Sequence, residues 1–323
     1  MTQVTEASTV TAEQIEAART DPKLANVLYH DWESGSYDEK WSISYDQRCI
    51  DYARDRFENL AGGQSWPYPT ALELGCGTGF FLLNLKQAGV LDQGHVTDIS
   101  PGMVKVAQRN AEGLGFAVEG RVADAESIPY DNDSFDLVVG HAVLHHIPDV
   151  ELAMREVLRV LRPGGRFVFC GEPTRHGDAI ARRLSRLTWW AASNVTQWPG
   201  LRENWARPAA ELAESSRAAA LESLVDLHTF DPDRLAALCM RAGAIDVRTE
   251  TEELTASWFG WPVRTFEAAV RPGALGWNWA MFAFRGWKSL SWLDQNVMSR
   301  FVPDEFFYNV GVTGFKPGAA AQA

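Results

Sequence analysis

The stretch "ALELGCGTGFF", residues 71–81, decides the fold. An apolar run of strand character meets glycines at alternate positions, Gly75, Gly77 and Gly79, with an acid, Glu73, two residues ahead of the first. Glycine-rich turns after strands let backbone approach nucleotide-like cofactors closely. The spacing is GxGxG. A dinucleotide fingerprint is GxGxxG, its third glycine one residue later, and its strand runs apolar into the turn. No Gly-Lys followed by Ser or Thr comes after the turn, so a P-loop is also disfavoured.

Working outward, the chain alternates. "TALELG" (70–75) reads as a strand and "GFFLLNLKQAG" (79–89) as a helix. "GHVTDIS" (94–100) is a second strand, followed by "PGMVKVAQRNAEGLG" (101–115), a helix with proline in its first turn. A third strand lies within 117–128 and a fourth within 134–147. An amphipathic helix at 149–165 stops at Pro-Gly-Gly, and "RFVFCGEP" (166–173) is the fifth strand. A helix and sixth strand follow at 228–253, and a last strand at 305–317. This beat predicts an α/β fold: a Rossmann-like, seven-stranded, mostly parallel sheet with helices on both faces. Residues 1–20 are expected to be a frayed tail, 21–62 a helical lid, 63–173 the cofactor-binding core, and 318–323 a tail. Two helical insertions are expected at 174–227 and 254–304.

With Asp98 and Asp124 ending the second and third strands, the stretch resembles motif I of the class I S-adenosylmethionine-dependent methyltransferases. "ADAESIPYDNDSFDLVVGHAVLHHIPD" (123–149) and "VLRPGGRFVF" (160–169) resemble the small-molecule branch that includes quinone and sterol methyltransferases. The resemblance covers residues 70–172 and, more weakly, 228–253. It implies S-adenosylmethionine as cofactor, with S-adenosylhomocysteine as product. It also implies roles. Gly75, Gly77 and Gly79 admit the cofactor, and Glu73 orients the loop or the methionyl ammonium. Asp98 accepts from the ribose hydroxyls, Ile99 and Met103 touch adenine, and Asp124 with the Ala125 N–H reads its edge. Two simpler readings stay open: Gly79 permits tight helix–strand packing, and Asp98 or Ser100 caps the helix starting at Pro101. Two other functions stay open as well, a cofactor-binding protein that transfers no methyl (a cyclase or regulatory subunit) and an NAD-dependent oxidoreductase.

Methyl transfer from a sulfonium needs positioning first, and a base only where the acceptor must lose a proton. His141, just past the fourth strand, is the base or cofactor-contact candidate. His145 and His146 read as residues fixing a turn, with His146 also a candidate for substrate contact. Glu172 and His176 follow the fifth strand as weaker candidates. No metal is expected, because no third ligand joins His145 and His146 on one element.

Ten of the 13 tryptophans fall in the two insertions. Ala283, Trp287, Leu290, Trp292 or Leu293, Val297 and Phe301 form a helical stripe there. With Tyr37, Trp41 and Tyr45, these segments are expected to roof a pocket for a small hydrophobic acceptor: a lipid, isoprenoid, polyketide or quinone-like molecule. The net charge of −12 argues against nucleic acid and allows at most weak peripheral contact with a membrane. Four dispersed cysteines and the absence of an export signal or an apolar span suggest a cytoplasmic protein with reduced thiols. A homodimer stays compatible with the sequence.

Overall fold

The computed structural model describes residues 11–41, 43–62, 66–208, 224–271 and 273–318. Helices α1 (Ala12–Ala18), α2 (Pro22–Glu33), α3 (Tyr37–Trp41) and α4 (Gln47–Ala61) precede β1 (Tyr68–Leu74). Then come α5 (Phe80–Gln87), β2 (Leu91–Asp98), α6 (Pro101–Gly113), β3 (Val118–Val122), β4 (Phe135–His141), α7 (Val150–Val160) and β5 (Leu161–Pro173). Helices α8 (Arg175–Val195) and α9 (Arg202–Trp205) follow, then α10 (Pro232–Ala242), β6 (Ile245–Glu252), α11 (Thr255–Ala269), α12 (Trp277–Asn296) and β7 (Asn309–Phe315).

The seven strands form one sheet in the order β3-β2-β1-β4-β5-β7-β6, parallel except for β7, which runs antiparallel between β5 and β6. The all-parallel dinucleotide sheet has no such strand. Strand alternation sorts side chains onto two faces. Leu72, Leu74, Val138, Phe167 and Phe169 pack under α7 and α10, while Ala71, Leu137, Val139 and Val168 pack under α4, α5 and α6. Each fully buried phenylalanine of this core, such as Phe57, Phe135 or Phe167, contributes about 1.5–3 kcal/mol of transfer free energy.

Several boundaries differ from the sequence expectation. Residues 12–18 are helical, started by a capping box between Thr11 and Gln14, so the tail expected over 1–20 contains a helix; residues 1–10 lie outside the described residues. Helix α4 belongs to the core: Ala53, Phe57, Leu60 and Ala61 bury themselves against the sheet, leaving α2 and α3 as the covering part of 21–62. Helix α7 ends at Val160, ahead of Pro163, because the residue before proline avoids helical angles, and β5 begins at Leu161. The expected helical stripe also breaks down. Helix α12 stops at Asn296, and both Trp292 and Phe301 face solvent. Of the insertion at 174–227, residues 209–223 lie outside the described residues.

Candidate active site

Parallel strands deliver their last residues to one edge of the sheet, where ligands bind in such folds. Here that edge opens into a cavity of about 910 Å³. Its lining includes Gly75 after β1, Asp98 of β2, His141 of β4, Pro173 of β5, Glu252 of β6 and Asn309, the first residue of antiparallel β7. Both insertions leave from or return to this edge. Phe259, Trp261, Phe284 and Trp287 of α11 and α12 line the opposite wall.

At the glycine loop, the Gly77 N–H donates to Asp98 Oδ2 (2.9 Å), and Asp98 Oδ1 accepts from the Ser100 N–H (2.8 Å). Ser100 itself caps α6 through the Met103 N–H (3.1 Å). Asp98 therefore ties the loop to β2, and the helix cap belongs to its neighbour. Burial pushes the Asp98 carboxyl up to about 6, with the two backbone donors opposing it. Glu73 accepts from the Leu82 N–H (3.2 Å), and burial raises it well above the carboxylate range. Neither acid is bonded to a basic side chain among the described residues. A ligand carrying positive charge suits this donor set.

Gly77 and Gly79 do different work. Gly77 has φ +51°, and a Cβ there would meet only Tyr37, 3.9 Å away. It is the position open to a ligand. A Cβ at Gly79 would lie 2.9 Å from Leu83 and 3.3 Å from Ala107, and Gly79 does not line the cavity. Its role is close packing of α5 on α6, which corrects the expected cofactor contact. Met103 is likewise fully buried, away from the cavity. Glu73, Gly75, Gly77, Asp98, Ile99, Asp124, Ala125 and His141 all line it. Asp124 already accepts from Lys23 Nζ (2.5 Å) and from the Glu126 N–H (2.9 Å).

Helix α2 closes over this end. Its Asp31 accepts from the Ser100 hydroxyl (2.5 Å) and the Gly102 N–H (2.8 Å), and Lys23 reaches Asp124 and Glu126. Tyr37 and His146 line the cavity. Tyr45 does not: its hydroxyl donates to the Thr78 carbonyl (2.8 Å) and accepts from Asn110 (2.9 Å), bracing the glycine loop from behind. The Trp41 side chain lies outside the described residues.

Beyond the loop, His141 is half-buried among Phe80, Phe81 and Tyr52, with the Tyr52 hydroxyl 3.3 Å from its Nε2. Burial, aided by the nearby Arg56 charge, pushes its pKa down to about 4, so at neutral pH it is an uncharged proton acceptor. The Arg56 guanidinium sits 3.6 Å over the Tyr52 ring and pairs with Glu252 (2.7 Å) and Glu253. Neither Tyr52 nor this ion cluster was legible in the sequence. Tyr52 lies one helical turn before Arg56 on α4, a spacing that could have been read but pointed nowhere without the fold.

Glu172 does not line the cavity. Fully buried, it accepts from the Val143, Leu144 and His145 N–H groups and from His145 Nδ1 (2.8 Å). It thereby holds the turn after β4, in which Ala142 takes φ +53°. His176 stacks on Phe306 and borders a different, smaller depression. The fold also supplies what sequence spacing did not, an acidic third group beside the paired histidines. Asp226 Oδ1 lies 4.0 Å from His145 Nε2 and 3.7 Å from His146 Nδ1. His145 bonds Glu172 through its Nδ1, His146 Nδ1 meets the Val225 carbonyl (2.9 Å), and Asp226 Oδ2 pairs with Arg182 (3.4 Å), so His145 Nε2 and Asp226 Oδ1 are the ring and carboxylate atoms left facing each other.

Residues 72–169 match the family model described as a methyltransferase domain. The demethylmenaquinone methyltransferase of Clavibacter sepedonicus is 40% identical over 146 residues, 41% of this chain and 56% of that protein. The chain spans about half the length of the curated relatives it matches. Among solved structures, phosphoethanolamine N-methyltransferase 2 of Haemonchus contortus, in complex with S-adenosyl-L-methionine, superposes with a TM-score of 0.53 at 16% identity, covering 90% of this chain and 60% of that one. The cyclase SpnF superposes with a TM-score of 0.54 at 17% identity, covering 92% and 97%. Both likenesses concern the fold.

Proposed function

We propose that this chain, whose residues 72–169 match the methyltransferase-domain family model, is a class I S-adenosylmethionine-dependent methyltransferase that methylates a small, largely apolar acceptor. One observation carries the reading. A single cavity of about 910 Å³ has the glycine loop at one end and the aromatic wall of α11 and α12 at the other, with His141 between them. Sites of this size and lining take drug-sized molecules.

S-adenosylmethionine, when bound, supplies an activated sulfonium methyl. Gly77 leaves room for it, and the buried Glu73 and Asp98 carboxylates suit its positive groups. Lys23 and Asp31 fasten α2 over that end. Tyr52, Phe80, Trp261 and Trp287 orient the acceptor by stacking. His141, kept neutral by burial, takes a proton from an acceptor hydroxyl directly or through the Tyr52 hydroxyl.

The test is calorimetry with S-adenosylmethionine, followed by screening hydrophobic phenols, quinols and isoprenoids for S-adenosylhomocysteine release and a methyl mass gain. Binding plus turnover supports the reading. Binding with no methylated product assigns the chain to cofactor binding without transfer, and no binding at millimolar cofactor sinks both.

A further inference from the structure

Large exposed apolar side chains gather on the insertions. Trp190 is 66% exposed, Trp198 62%, Trp277 76% and Trp292 62%, with Leu187 and Phe282 beside them in sequence. A tryptophan left in water forgoes the transfer free energy that folding normally collects. On α8, Arg183, Arg186, Leu187 and Trp190 recur at helical spacing and all face solvent. On α12, Trp277, Arg285, Lys288 and Trp292 do the same. Both helices pack against α11. None of Arg183, Arg186, Arg285 and Lys288 has an acidic partner among the described residues, in a chain whose net charge is −12. The two stripes thus carry unneutralised positive charge on an otherwise acidic molecule.

The α12 stripe borders the cavity. Lys288 and Trp292 are solvent-exposed yet line it, as do the exposed Arg48 and Asn59 of α4. Tryptophan interleaved with arginine and lysine suits the boundary between phospholipid headgroups and acyl chains, where the ring is half buried and the cation meets phosphate. Pairing with a second copy fits poorly, since a twofold contact would set these cations against their own kind. No helix among the described residues is long and apolar enough to span a bilayer, so the contact is peripheral.

We propose that the outward faces of α8 and α12 seat on an anionic phospholipid surface, placing the cavity mouth against it. The seating stands without the methyltransferase reading. Its use, drawing a lipophilic acceptor straight from the bilayer, rests on that reading.

The full chain is floated with phosphatidylserine-containing vesicles and with pure phosphatidylcholine vesicles, at low and high salt. Flotation with the anionic vesicles, reduced by salt, is expected. Arg183→Glu/Arg186→Glu and Trp190→Ser lie away from the cavity, so melting temperature and cofactor binding stay unchanged. The vesicle partition constant falls about fivefold per cation removed, from ~1 kcal/mol each. Brominated acyl chains quench tryptophan emission in the wild type and less in Trp190→Ser. Absence of flotation at low salt, or flotation indifferent to these substitutions, overturns the proposal. So does a dimer in sedimentation that the α8 substitutions dissociate without any vesicle binding. Cofactor binding, measured separately, tells this failure apart from failure of the methyltransferase reading.

Discussion

The Tyr52 hydroxyl lies 3.3 Å from His141 Nε2 in the cavity lining, joining a helix from before the sheet to the end of its fourth strand. His141 is held near pKa 4, so it is deprotonated throughout the neutral range. Turnover of a hydroxyl acceptor should be flat around neutrality and decline only as pH approaches about 4. His141→Asn should lower kcat by roughly 10²–10⁴ while cofactor affinity holds. Tyr52→Phe, which removes one hydrogen bond worth ~1 kcal/mol, should cost about fivefold to tenfold. An unchanged kcat in His141→Asn would remove it from the chemistry.

Cofactor affinity should depend on Asp98. The cavity favours its protonated form up to about pH 6, whereas a cationic ligand favours the ionised form. Affinity for S-adenosylmethionine therefore rises with pH through about 6 and then levels off, with proton release on binding below that point. Calorimetry in buffers of different ionisation enthalpy reads both. Asp98→Asn removes the inflection at about pH 6, leaves the Glu73 contribution in place, and weakens binding.

Gly77→Ala and Gly79→Ala should separate. At Gly79, φ +87° and a Cβ 2.9 Å from Leu83 combine strain with overpacking, lowering stability by about 1–3 kcal/mol. At Gly77 the added methyl meets nothing closer than 3.9 Å, so the left-handed backbone costs only about 1–2 kcal/mol. Its methyl instead occupies ligand space. Thermal melts and cofactor titration of both variants should show opposite orders of damage.

The buried Glu172–His145 pair is a stability element with its own pH window. Burial works against both charges, but the mutual hydrogen bond prevails, lowering Glu172 from 4.5 and raising His145 from 6.5. The Glu172 contribution is present above 4.5 and lost as pH falls through its lowered value. The His145 contribution is present below 6.5 and lost as pH rises through its raised value. The pair is fully effective between those limits. Glu172→Ala should destabilise by about 3–5 kcal/mol in that window, with denaturant titrations at several pH values as the measurement.

Removing the α2 clasp should loosen the cofactor end without unfolding the sheet. In Asp31→Ala, the Ser100 hydroxyl and Gly102 N–H lose their acceptor. Amide exchange across Pro22–Glu33 should speed up, and the cofactor dissociation rate should rise several-fold, at a stability loss of about 1 kcal/mol. Exchange rates over α2 equal to wild type would show that these bonds do not hold it closed.

The sequence by itself determined the sheet and the glycine-loop end of the cavity. Strand-and-helix periodicity, the GxGxG turn, and acids at strand ends are local patterns, because a parallel strand's last residue is automatically at the ligand edge. Glu73, Gly77, Asp98 and His141 were found that way, and all of them line the cavity. Only the tertiary structure decided the rest. It set Tyr52 and Arg56 of α4 beside His141 and Glu252. It turned Tyr45 and Glu172 into braces, and Gly79 into packing. It also divided the tryptophans between a cavity wall and an exposed face. Those assignments depend on which elements meet across long separations in the chain. A helical stripe specifies that a face exists, and packing specifies what that face touches.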